Sequence, residues 1–325
     1  MDQAISIMRK LIARFPVIEV LYRHIYWRMP FVPLLLKKLR DRRKPVNRPR
    51  LPPILQEFSQ MVQQMGIKQG DVLIVHSAMG KFYQAGHSVQ EILDLLFDLV
   101  GPSGTIVMLA IPILRDDPDP KDRFNDSLFA NPFVYNKGVD KIWTGRLPKA
   151  LCDDPQSYLS SMPLNTVVAK GAHAQEIVEE QNMADGFTAC GPGSAWARCY
   201  ELNAKILMVD VDVAHSLTMI HTAEDLFEAE WPIKNWYRPR DFVIQEEGHK
   251  LGVQMRERHP KWALFYCEFR FNRDLRDQSI FVYETTDNGL KLALGTSKGL
   301  IDFLRSHRPG TYPYVIPKFI GKRVV

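Results

Sequence analysis

The stretch from Lys205 to Trp231, KILMVDVDVAHSLTMIHTAEDLFEAEW, decides how the chain is read. Ile206 to Val209 is a short aliphatic run and reads as a buried strand. After a polar turn, Thr218-Met219-Ile220-His221-Thr222-Ala223-Glu224 reads as the start of a helix. On a helix, Thr218, His221 and Glu224 are successive neighbours on one face. His221 would then stand between a hydroxyl and a carboxylate at a strand-to-helix corner. A carboxylate beside an imidazole fixes its tautomer and steadies its charged form, as a general base requires. The same spacing also describes a surface Glu–His pair with a threonine near a helix N-cap.

Upstream, the body of the chain starts near Pro52. Ile54 to Met65 is amphipathic and reads as a helix that ends at Gly66. Val72 to Val75 reads as a strand, with His76-Ser77-Ala78-Met79-Gly80 directly after it. Ser88 caps a helix over Val89 to Leu99, and Gly101-Pro102-Ser103-Gly104 turns into a strand over Thr105 to Ile111. Strand, loop, helix, turn and strand in that order are the grammar of an α/β core. Small residues after the first strand let backbone N–H groups approach an anion such as a phosphate, although no Walker or GxGxxG pattern is present.

Arg115 to Lys141 is polar and rich in Asp, Pro and Asn, and reads as one long loop. A short helix follows Thr144, a strand is expected over Leu164 to Val168, and a helix over His173 to Gln181. Ser194 is the expected N-cap of the helix after the Cys190-Gly191-Pro192-Gly193 turn. Downstream, Arg238 to Leu251 reads as strand material around a Glu247-Gly248 turn. Phe281–Tyr283 and Lys291–Leu294 read as a strand pair, and Ser297 to Ser306 as a closing helix.

The chain has 325 residues, 46% hydrophobic and 24% charged, enough for one large core or two modest ones. Four cysteines without CxxC spacing point to a reduced, cytoplasmic compartment, and no metal-ligand pattern appears. The net charge of +5 is unevenly spread. Residues 1–50 carry 13 Lys/Arg against 3 Asp/Glu, net +10, so residues 51–325 carry net −5. This first unit is aromatic, basic and cut by Pro16, Pro30 and Pro33 into short helical pieces. Either its helices pack on the body or on a second subunit, with 37–50 a solvated linker, or Trp27, Phe31 and Leu34–Leu36 dip into an anionic membrane surface. No run is long enough to span a bilayer, and no nucleic-acid motif accompanies the basic residues. Two units are therefore expected: an N-terminal helical extension over 1–50 and an α/β domain over 51–325.

Six segments together resemble the aminoglycoside 3-N-acetyltransferase family: GDVLIVHSAMG (70–80), VGPSGTIVM (100–108), TGRLPKAL (144–151), MPLNTVVAKGAHA (162–174), CGPGSAWARCYELNAKILMV (190–209) and TMIHTAEDLFE (218–228). The resemblance covers roughly residues 52 to 305. It implies a three-layer α/β/α fold with a mixed central sheet, and acetyl transfer from acetyl-coenzyme A to an amine of an amino sugar. It also implies that Ser77, Ala78 and Met79 meet the coenzyme's phosphates, and that Gly193 and Ser194 lie along the coenzyme arm. His221 and Glu224 match the histidine and glutamate nearest the reacting centre, and Thr218 a hydroxyl residue on the same element.

The departures bear on the acceptor. Where the family has Arg-x-x-His-Pro, this chain has Tyr158-Leu159-Ser160-Ser161-Met162-Pro163, so Met162 stands in the place of the histidine. Asp210 and Asp212 replace a glycine pair. They read either as groups receiving a cationic amine or sugar hydroxyls, or as capping aspartates. His215 reads as a site-lining or an exposed loop residue. His76 reads as a catalytic histidine or a satisfied core one. The expected role is a cytoplasmic N-acetyltransferase, peripheral at the inner face of the membrane if its N-terminus docks there, serving surface-polysaccharide or other biosynthesis. A homo-oligomer is open to it. The rival expectation is a catalytically silent homologue that binds or scaffolds at a membrane, with Met162 as its main support.

Overall fold

In the computed structural model, alternation along the strands sets the layers. The described residues are 2–29, 31, 32, 38, 50–119, 122–179, 186–307 and 310–317. The expectations for Leu34–Leu36 and for nearly all of the basic run 37–50 fall outside them.

Two helices open the chain, α1 (Asp2–Arg14) and α2 (Pro16–Arg28). The body follows with α3 (Leu55–Gln64), β1 (Val72–Ser77), α4 (Gly80–Gln84), α5 (Val89–Val100) and β2 (Thr105–Leu109). Then come β3 (Phe133–Asn136), α6 (Arg146–Asp153), β4 (Tyr158–Leu159), β5 (Val167–Gly171) and α7 (Ala174–Val178). The central crossover is α8 (Ala195–Glu201), β6 (Lys205–Val209), α9 (Val213–Ser216) and α10 (Ile220–Leu226). The chain continues through β7 (Tyr237–Glu246), β8 (His249–Arg258), α11 (Glu268–Asp277), β9 (Phe281–Thr285), β10 (Lys291–Thr296) and α12 (Ser297–Ser306).

Seven strands form the central sheet in the order β4-β5-β2-β1-β6-β10-β9. β1 is parallel to β2 and β6, while β5 and β10 run antiparallel to their neighbours. The sheet is therefore mixed, as expected. Because side chains alternate across a strand, Leu73 and Val75 of β1 join one core with Phe58, Phe82, Leu96 and Leu147 from α3 to α6. Val72 and Ile74 join the other, with Trp196, Ile220, Ala223 and Leu300 from α8, α10 and α12. The result is three layers. Ser88 caps α5 in a reciprocal box with Glu91, and Ser194 caps α8, both as read from the sequence.

Several boundaries move. Arg115–Lys141 is not one loop: Phe133–Asn136 forms β3, parallel to β7, in a second sheet of order β3-β7-β8. Phe133, Tyr135, Phe242, Ile244, Val253 and Met255 face the same core as α10. The strand expected at Leu164–Val168 lies at Val167–Gly171, and the helix after His173 ends at Val178, with Glu179 extended. β7 and β8 do turn at Glu247-Gly248, but β8 continues to Arg258.

The N-terminal helices pack on the body. The Glu19 carboxylate is buried and accepts the backbone N–H groups of Glu268 and Phe269 at 2.8 and 3.1 Å, which caps α11. Arg23 bridges Glu19 and Glu268. The Arg123 guanidinium lies 3.9 Å over the Trp27 ring.

Candidate active site

The site grows from α10, a short helix whose first turn is set by the His221 N–H donating to the Thr218 carbonyl at 3.0 Å. It begins at Ile220, not at Thr218. Residues three apart on it lie on one face, and the His221 Nδ1 stands 2.9 Å from Glu224 Oε2. The ring keeps 21% of its surface exposed while Glu224 keeps 3%, so the carboxylate is the buried brace and the imidazole the group that meets solvent.

Glu224 is held from its other oxygen too. The Tyr314 hydroxyl donates to Glu224 Oε1 at 2.6 Å, and Arg258 Nη1 donates to the Tyr314 oxygen at 2.6 Å. Arg258, Tyr314, Glu224 and His221 thus form one chain of hydrogen bonds. Burial favours the neutral acid at Glu224, but the His221 ring, then Arg258 and the Tyr314 hydroxyl, outweigh it and hold the carboxyl below its ordinary range. With Nδ1–H given to this carboxylate, the His221 Nε2 lone pair is left free to accept a proton.

His221 and Glu224 open onto a cleft of about 130 Å3, lined also by Leu164, Asn165, Ala189, Asp225, Arg256, Glu257 and Arg258. Its walls are polar and mutually held. Glu257 accepts from Arg238 at 2.9 Å and Arg240 at 3.2 Å, and Arg256 pairs with Glu228 at 2.6 Å. Asp225 accepts the Cys190 N–H at 3.1 Å and the Tyr237 hydroxyl at 2.9 Å. Burial and then the charge of Glu224 push the Asp225 carboxyl up to about 7. Asn165, in a left-handed turn, gives its carbonyl to Trp196 Nε1 at 2.8 Å. The Cys190 thiol is buried and pushed well above its usual range, so its sulfur stays protonated and is no nucleophile.

Of the residues singled out in the sequence, the cleft brings together His221 and Glu224. Thr218 lies just before α10 and contributes a backbone carbonyl. His76 is corrected: it sits within β1, paired with Met208, with its Nε2 sealed and without a partner among the described residues. Burial pulls its pKa down to about 4, so it is a neutral core ring away from the cleft. Asp210 pairs with Lys81 at 2.9 Å, and Asp212 caps α9 and accepts from Asn272 at 2.7 Å. His215 is exposed and paired with Glu268. None of these three lines the cleft, because each is engaged at the edge where α9 meets α11 or the sheet. Ser77, Ala78 and Met79 end β1 and open α4, with the Ala78 N–H given to the Val209 carbonyl. Gly193 takes a left-handed φ of 77° that lets Ser194 reach its capping position. Met162 is buried, and its carbonyl accepts the Thr166 hydroxyl.

Sequence reasoning missed Asn165, Asp225, Arg256, Arg258 and Tyr314. The alternation in Arg256-Glu257-Arg258 at a strand end was the available signal for two of them. Tyr314 carried none, because it reaches Glu224 from 90 residues away.

The sequence profile described as Aminoglycoside 3-N-acetyltransferase matches residues 74–303, which include His221, Glu224 and Arg258. The chain belongs to the aminoglycoside 3-N-acetyltransferase family. These are acyltransferases acting on an amino group. Within the family, aminoglycoside N(3)-acetyltransferase IX of Micromonospora chalcea is 27% identical over 206 residues, covering 59% of this chain and 68% of that one. Across this and other curated relatives, the chain spans between 58% and 68% of their length. AAC-IIIb in binary complex with CoASH shares the fold at a TM-score of 0.61 and 19% identity, covering 78% of this chain and 94% of that one. A mutant AAC(3)-IVa in complex with apramycin does so at a TM-score of 0.59 and 20% identity, covering 81% and 95%. Tyr314 lies beyond the residues the family profile matches.

Proposed function

We propose that this chain transfers the acetyl group of acetyl-coenzyme A to an amine of an amino sugar, with His221 as the general base. The observation that carries this reading is the His221–Glu224 pair, 2.9 Å apart and opening onto a polar cleft. Family membership and a structural neighbour solved with coenzyme A support it.

An ammonium has no lone pair, so its proton must leave before it attacks a thioester. His221 Nε2 takes that proton, and Glu224 stabilises the imidazolium. The amine nitrogen then bonds to the carbonyl carbon of the thioester, gives up its second proton as the carbon–sulfur bond breaks, and becomes the amide. The coenzyme leaves as its thiolate and takes up that proton to become the thiol, while the imidazolium returns the first proton to solvent. The polar walls of the cleft, with the carboxyl groups of Glu224, Asp225 and Glu257 beside the guanidinium groups of Arg256 and Arg258, offer hydrogen-bonding partners to the amine and hydroxyls of an amino sugar.

The acceptor is proposed to be an amino sugar of surface-polysaccharide or other biosynthesis and not an antibiotic. Met162 in place of the family histidine and the engagement of Asp210 and Asp212 in structural contacts support an altered acceptor pocket. The test is purified chain, acetyl-coenzyme A and a panel of free, nucleotide-linked and lipid-linked amino sugars, with aminoglycosides alongside, following thiol release. Turnover on a sugar conjugate above that on aminoglycosides is expected. No turnover on any amine, with no coenzyme A binding by calorimetry, would sink the reading. Coenzyme A binding without turnover on any amine would favour the silent homologue instead.

A further inference from the structure

α1 and α2 have two faces. The inner one docks on the body: Ala13 and Glu19 are buried, Val20 and Trp27 pack against the core, and His24 meets the Phe265 ring edge-on at 5.0 Å. The outer one is apolar and uncovered. On α2, Ile18, Tyr22, Ile25 and its C-cap Met29 follow one another in steps of three and four, and Leu11 of α1 and Phe15 at the joint between the helices precede them, each between 40% and 54% exposed. Of 18 large apolar side chains that are exposed among the described residues, 10 lie between Met8 and Phe31, while the other 8 are scattered over the body. Single exposed apolar residues are ordinary, but a contiguous stripe marks a contact surface.

Charge selects the partner. Arg9, Lys10, Arg14 and Arg28 are exposed on the same helices, and Glu19 is turned inward to cap α11. By sequence, residues 1–50 carry net +10 and residues 51–325 net −5, so the segment that bears the stripe is opposite in charge to the rest of the chain. A second copy set on this stripe by a two-fold axis would bring Arg9, Lys10, Arg14 and Arg28 towards their own counterparts. An anionic lipid surface offers the opposite charge and an apolar layer beneath it. No helix of the described residues is long and apolar enough to cross a bilayer, which leaves a contact in the interface plane.

We propose that the outer face of α1 and α2 docks the protein on an anionic membrane surface, with the stripe from Leu11 to Met29 sunk among the headgroups and the flanking arginines and lysine against lipid phosphates. This goes beyond the acetyl-transfer reading, and its readout is independent of turnover.

The experiment is vesicle flotation of the full chain with phosphatidylcholine alone and with about a third phosphatidylglycerol. The chain is expected to float with the anionic vesicles and to be released by high salt. Phe15→Glu with Tyr22→Glu should lower the floated fraction about tenfold or more, and so should Arg9→Glu with Lys10→Glu and Arg14→Glu. All five positions are exposed, so the variants should melt as the unaltered chain does. Equal flotation of the unaltered chain and the Phe15→Glu, Tyr22→Glu variant would overturn the proposal. A failure to float with anionic lipid would do the same, as would a dimer by light scattering that this variant dissociates.

Discussion

His221 is expressed as a base only through what holds it. His221→Ala should lower kcat by about a hundredfold or more while coenzyme A affinity, measured by calorimetry, stays near that of the unaltered protein. Tyr314→Phe keeps the ring packing but removes the hydroxyl between Arg258 and Glu224. It should cost about 1–3 kcal/mol in urea unfolding, the usual cost of a buried polar group left without its partner. Glu224 has a folded pKa below its unfolded one, so its stabilisation is present above the unfolded value and lost as pH falls through the folded value. Without the Tyr314 hydroxyl that loss should begin at higher pH, which urea unfolding across the acid range would show. Asp225 has the opposite sign. Its carboxyl, ordinarily at 3.8, is raised to about 7 by burial and then by Glu224, so the folded chain holds a proton that the unfolded chain has released. Its stabilisation is present below pH 3.8 and lost as pH rises through about 7. Melting temperatures of Asp225→Asn across that window should fall less steeply than those of the unaltered protein; an identical slope would remove Asp225 as its source.

At the scale of elements, the caps were legible and the pairings were not. Ser88 and Ser194 announce α5 and α8 because a hydroxyl before a helical run satisfies orphan N–H groups locally. The cap on α11 could not be read, because it is Glu19, some 250 residues earlier, that supplies it. Glu19→Ala should destabilise the protein by about 1–2 kcal/mol, as the loss of a helix cap does, while Arg23 keeps Glu268 as a partner at 2.6 Å. Turnover at a temperature well below the melt should be unchanged. β3 escaped notice for a related reason. Phe133-Val134-Tyr135-Asn136 is four residues inside a polar segment, and its strand character comes from pairing with Phe242 to Gln245. β1, β2 and β6 were legible because each is a continuous aliphatic run, the mark of a strand covered on both faces.

For the whole molecule, the three layers and the corner that carries His221 followed from strand and helix periodicity, with the resemblance adding the order of the pieces. What the sequence withheld was convergence. The cleft collects side chains from α10, the end of β8 and the turns at 164–165 and 189, and its brace comes from residue 314. These are tertiary meetings with no local signature, so only the helical His–Glu pair within them was visible beforehand. One of those meetings has an optical consequence. The Tyr314 ring lies 5.0 Å from Trp236 and 6.0 Å from Trp231, and Trp236 stacks on Trp262 at 5.5 Å. Two of the chain's six indoles therefore touch the phenol that braces the dyad, and a third stacks on one of them. Ultraviolet emission from these rings should change intensity or wavelength when a charged amine enters the cleft, so acceptors can be screened by fluorescence titration without any acetyl donor present.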